Sequence, residues 1–94
     1  MEIKRWFDYS NEPNAIANKK ACEKSIQENR CVKVHAGRYY YKGYEVYYLP
    51  GHIYPWNWKS FSDIYTFSES TKRDCLLAID GFINTHKNLF KENT

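Results

Sequence analysis

From Arg38 to Leu49 the chain places six tyrosines (Tyr39, Tyr40, Tyr41, Tyr44, Tyr47 and Tyr48) around a single valine, and this run constrains the fold most. Tyr and Val fit a pleated, half-buried surface better than a helix, so the run belongs to a β-sheet. Lys42-Gly43 allows a tight hairpin turn or a bulge at Gly43 inside one long strand. Continued alternation of the tyrosines favours the bulge. In that register Tyr40, Tyr44, Val46 and Tyr48 share one face, and Tyr39, Tyr41, Tyr47 and Leu49 the other, so both faces carry rings.

Upstream, Val32 and Val34 alternate with Lys33 and His35, which predicts a strand turned by Ala36-Gly37. Downstream, Phe61 to Phe67 alternates large and small side chains and predicts another. Ile3 to Tyr9 reads as a short strand or an extended arm. Ser10 to Asn14 carries helix-start chemistry, and a helix with small apolar residues (Ala15, Ile16, Ala17, Ala21, Cys22, Ile26) follows from about Asn14 to Asn29. A second helix runs from about Thr71 to Phe90, capped by Ser68 or Ser70. Its apolar stripe is Leu76, Ile79, Ile83, His86 and Phe90, widened by Cys75 and Phe82. Gly81 inside it is expected at a close crossing against the sheet. The expected architecture is α+β: a small antiparallel sheet of about three strands packed against a long C-terminal helix, with an additional N-terminal helix. Residues 1–94 show no linker or repeat and read as one domain.

Seventeen of the 94 residues are aromatic. A chain of this length buries roughly 60–65% of its unfolded surface, so its core cannot take in every ring. The segment Ile53-Tyr54-Pro55-Trp56-Asn57-Trp58 reads as part of a loop reaching to about Ser60. Loops are mostly polar, and exposed Trp and Tyr are enriched at interface hot spots. Tyr54, Trp56 and Trp58 are therefore either a lid folded over the core or the anchor for a protein partner. Tyr47, with Arg38 and Lys42 among the tyrosines, marks a second candidate surface. On an exposed sheet face, rings interleaved with cations form a stacking platform for single-stranded nucleic acid.

Reactive chemistry has little to build on. Cys31 and His35 on one strand stand ~13 Å apart, too far to share an ion, and no metal site is expected. Cys75 could act as a nucleophile only with a distant histidine, and it lies on an apolar helical stripe where cysteine is a small core residue. Neither a paired-carboxylate spacing nor a phosphate-cradling glycine loop is present in the sequence. Neither a catalytic residue nor a cofactor is expected. The net charge of +3 is below that of a dedicated nucleic-acid binder. No apolar run reaches the ~20 residues that span a bilayer, so no membrane is expected as a partner. Three cysteines without an export signal predict free thiols and a cytoplasmic location.

Three short motifs carry a resemblance: Tyr41-Lys42-Gly43-Tyr44, Tyr65-Thr66-Phe67-Ser68 and Ala78-Ile79-Asp80. Through them the segment Gly37 to Asn84 resembles small strand-loop-strand-helix modules of phage and mobile-element proteins. Its element order is also similar to the arm-binding domain of phage integrases, which reads DNA with its sheet. Phe61 to Ser68 departs from that pattern, because it holds no Arg or Lys. The resemblance implies a small non-enzymatic inhibitor of a host defence, such as an anti-CRISPR protein, that occupies a protein surface. The alternative is a nucleic-acid-binding accessory protein that uses the tyrosine-rich sheet face.

Overall fold

The computed structural model describes residues 5–59 and 66–92, with side chains as far as Thr85. Its α+β class is the one expected from the sequence, but the sheet has five strands where about three were expected. Strands β1 (Cys31–His35), β2 (Arg38–Tyr41), β3 (Tyr44–Tyr48), β4 (Trp56–Lys59) and β5 (Thr66–Glu69) form an antiparallel meander in chain order.

Two corrections account for the extra strands. Lys42 and Gly43 both have positive φ, +52° and +88°, so they form a tight two-residue hairpin turn. The bulge is excluded, and the tyrosine run is two strands. Trp56 to Lys59 also pairs, with β3 on one side and β5 on the other. The expected loop is therefore shorter, spanning 49–55. Of the strand expected over Phe61 to Phe67, residues 61–65 lie outside the described residues.

The ladder register assigns each side chain to a face. Val32, Tyr40, Glu45, Lys59 and Thr66 form one cross-strand row, and Arg38, Tyr47, Asn57 and Ser68 the next row on that face. Helix α1 (Pro13–Glu28) covers this face over β1 and β2. Lys33, Tyr39, Val46, Trp58 and Phe67 form a row on the opposite face, which α2 (Lys72–Glu92) covers over β3 to β5. Two cores result. Phe7, Ala15, Ala21, Cys22, Val32 and Tyr40 pack under α1, and Val46, Trp58, Cys75 and Ile79 pack under α2.

Helix α1 begins with Pro13 in its first turn and ends at Asn29 in the left-handed conformation. Its buried stripe is Ala15, Asn18, Ala21, Cys22 and Ser25, while Ile16 and Ile26 are exposed. Close approach explains the shift: Ser25 Oγ accepts the Gly43 N–H at 2.9 Å, and a branched side chain there would hold helix and turn apart. Ahead of α1, Trp6–Tyr9 is a 3-10 turn, where a strand or arm was expected over Ile3 to Tyr9; Ile3 and Lys4 lie outside the described residues.

Helix α2 is capped by Thr71, whose Oγ1 accepts the Asp74 N–H at 3.1 Å, so neither Ser68 nor Ser70 serves as the cap. Cys75 and Ile79 are fully buried, with Leu76, Phe82 and Ile83 packed beside them. The side chains of His86 and Phe90 lie outside the described residues. No helix among the described residues is long and apolar enough to cross a membrane.

Gly81 corrects another expectation. It is exposed, and a Cβ built there meets nothing within 4 Å. No close crossing requires it. Gly81→Ala should therefore stabilise the protein by about 1 kcal/mol, measured as a rise in the urea midpoint at constant m-value.

Candidate binding site

Helix α1 packs mainly on β1 and β2, and beyond it the sheet ends in the hairpin loop joining β3 to β4. Leu49 N–H donates to the Pro55 carbonyl at 2.7 Å and closes the loop neck. Gly51 turns the chain at φ +89°. Asn57 Nδ2 donates to the Pro55 carbonyl at 3.1 Å, and Ser68 Oγ donates to Asn57 Oδ1 at 2.7 Å, so the loop is tied to β4 and β5. Leu49, Gly51, His52, Ile53 and Tyr54, with Asn57 and Ser68, line an open groove of about 520 Å³. Ile53 is 89% exposed and Tyr54 55%, with Leu49 also exposed beside them. An aliphatic side chain held almost wholly in water forfeits the gain that burying it would bring.

Beside the groove lies a charged and aromatic cluster centred on Glu45, which is 1% exposed. Its Oε1 accepts the Tyr40 hydroxyl at 2.7 Å, the Arg38 guanidinium at 2.9 Å and the Trp6 indole N–H at 3.1 Å. Lys59 Nζ stands 3.8 Å from Oε2. Burial pushes the Glu45 carboxyl up, but the Tyr40 hydroxyl, Arg38, Trp6 and Lys59 together outweigh it and hold the carboxyl below its ordinary range. Burial, then the Glu45 charge, pushes the Tyr40 phenol up, so it remains a proton donor. Arg38 and Lys59 also approach the Tyr47 ring, at 5.4 and 5.7 Å from its centroid.

The residues expected at a binding site are divided between the faces. Arg38, Tyr47 and Tyr54 lie at or beside the groove. Trp56 and Trp58 do not, because two residues apart on β4 they share the α2 face. Trp58 is only 3% exposed, stacked on Phe67 at 4.5 Å and donating its indole N–H to Glu69 at 3.3 Å. Lys42 is also on the α2 side, its Nζ 2.7 Å from Asp80 Oδ1, and Tyr41 donates its hydroxyl to the same carboxylate at 3.0 Å. The Asp80 hydrogen bond raises the Lys42 pKa and pins the β2–β3 turn to α2. Leu49, Ile53, Glu45 and Lys59 were missed as site residues. The available signals were the aliphatic Ile53 in a Gly- and Pro-bounded loop, and a lone carboxylate inside an apolar run.

The Cys75 thiol is buried, and that burial, followed by the Glu69 and Asp74 carboxylates, pushes it up to about 12. It stays protonated at neutral pH and is a poor nucleophile. Cys31 and His35 occupy opposite ends of β1, and no group of three or more His, Cys, Asp or Glu among the described residues could hold a metal ion. No protein-family model matches the sequence, and comparisons with curated proteins and with solved structures yield no match.

The Glu45 cluster makes stability depend on pH. A carboxyl whose folded-state pKa lies below its unfolded value adds stability above the unfolded value, and that stability is lost as pH falls through the folded one. The loss should begin near the ordinary value of 4.5 and deepen below it. Glu45→Gln should cost about 3 kcal/mol at pH 7, with the gap to wild type closing below pH ~4, as measured by urea titrations across that range.

Proposed function

We propose that this chain is a non-enzymatic protein-binding domain that acts by occupying a partner's surface, with the hairpin tip as its anchor. The observation that carries this reading is the exposure of Ile53 and Tyr54, beside Leu49, over a groove whose neck and floor are hydrogen-bonded into the sheet. A rigidly based apolar protrusion loses little conformational entropy on docking and gains the burial of its side chains. Tyr54 takes the anchoring role. Trp56 and Trp58 support the tip from the opposite face.

A phage or mobile-element inhibitor of a host defence, of the anti-CRISPR kind, is the setting we infer. An aromatic-rich α+β fold and the resemblance of its second half to phage modules support it. The reading of Arg38 and Lys42 as a nucleic-acid platform draws less support, since Glu45 and Asp80 offset their charges.

Capture of partners on immobilised wild-type protein, compared with Ile53→Asp and Tyr54→Ala, tests the tip. Each change should weaken the specific partner by about 2 kcal/mol, roughly thirtyfold, while leaving the melting temperature unchanged. A partner retained equally by wild type and both variants would remove the tip from the interface.

A further inference from the structure

At the margin of the α2 core lies a partly covered aromatic strip, on the opposite side of the sheet from the tip groove. Tyr39 and Trp56 are half-buried there and Tyr48 is exposed. Their ring centroids lie 6.1 Å apart for Tyr39 and Trp56 and 5.2 Å apart for Tyr48 and Trp56. They form one aromatic strip across β2, β3 and β4. Lys33 is the cross-strand partner of Tyr39, and Lys72 at the start of α2 places Nζ 4.3 Å from the Tyr39 centroid.

These two lysines differ from the other cations of the sheet. Arg38 and Lys59 are held by Glu45, and Lys42 by Asp80. Lys33 and Lys72 have no ion-pair partner among the described residues. Glu69, opposite Trp56 on the same face, accepts the Trp58 indole N–H and keeps its negative charge, so the phosphates are placed at the Lys33 and Lys72 end of the strip.

We propose that this strip binds single-stranded nucleic acid, with bases stacking on Tyr48 and Trp56 and phosphates meeting the ammonium groups of Lys33 and Lys72. Rings beside uncompensated cations are what a single strand requires, because every base has a π face and every link a negative charge. An acidic peptide would engage the lysines and leave the rings without matching chemistry. A duplex keeps its bases stacked on one another, out of reach. Val46, the aliphatic side chain of this row, is buried, so the strip lacks the apolar character of the tip.

Fluorescence anisotropy with a labelled oligothymidylate of about 12 nucleotides provides the test. Two neutralised phosphates give a salt slope of about −1.4, so wild-type affinity should fall about sevenfold between roughly 50 and 200 mM salt. Lys33→Glu should weaken binding about tenfold at low salt and Tyr48→Ala about fivefold. Ile53→Asp should bind as wild type, which separates this site from the tip. Both strip positions are exposed, and circular dichroism melting checks their folding; the salt slope and the competitors are read on wild type. Polyglutamate and a duplex of equal length should bind at least about tenfold more weakly. Absence of oligothymidylate binding, or binding that both strip variants leave unchanged, would overturn the proposal. Equal affinity for polyglutamate would do so in favour of an acidic-peptide surface, and equal affinity for duplex in favour of unspecific charge attraction.

Discussion

A carboxylate removed from water survives as an anion only when its surroundings replace the lost hydration, and much of this fold is organised around that demand at Glu45. Its partners come from the turn before α1, from β2 and from β4: Trp6, Tyr40 and Arg38, and Lys59. One side chain thus fastens the N-terminal turn to the sheet, fixes the phenol at the centre of the α1 core, and sets two cations against Tyr47. The tip groove begins beside this arrangement, so a partner docking there would meet a sheet whose local geometry is already held.

A comparable constraint acts at the β2–β3 turn. Arg5 is buried, with its guanidinium donating to the Gly43 carbonyl, 3.5 Å from the Cys22 thiol and 5.4 and 5.8 Å from the ring centroids of Phe7 and Tyr40. The Gly43 N–H is taken by Ser25. The backbone of one turn glycine is therefore used by the chain ahead of α1 and by α1 itself, while Lys42 beside it reaches Asp80 on α2. Both helices are referenced to the same turn from opposite faces. This explains why α1 presents Cys22 and Ser25 inward: proximity and hydrogen bonding decide there, not hydrophobicity.

The helices were legible because each rests on a local signal. A three-four apolar spacing placed Cys75, Ile79 and their neighbours inward, and Pro13 marked the start of α1. The strand count was not legible. Lys at the first position of a two-residue turn is a poor advertisement for positive φ, so Lys42-Gly43 resembled a bulge. Trp56 to Lys59 is four residues long, too short for alternation to stand out, and its strand state comes from neighbours on both sides. Read as part of a loop, Trp56 and Trp58 stayed open between a lid over the core and an anchor for a partner. Ile53 failed to stand out for the opposite reason, being a lone aliphatic among more conspicuous rings.

Every strand pairs with the one next to it in sequence, so the sheet needs no long loop closure to assemble. Hairpins of this kind form in about 1–10 μs, and the meander can grow one neighbour at a time. Contacts that span the chain, among them Trp6 with Glu45, Arg5 with Gly43, and Tyr41 and Lys42 with Asp80, tie the N-terminal turn and α2 to this ladder. The long loop closures therefore lie in docking the flanks of the chain, where closure entropy is largest. Because Trp6 donates to Glu45 from the N-terminal turn, the dehydration of this carboxylate is coupled to the docking of that turn on the sheet.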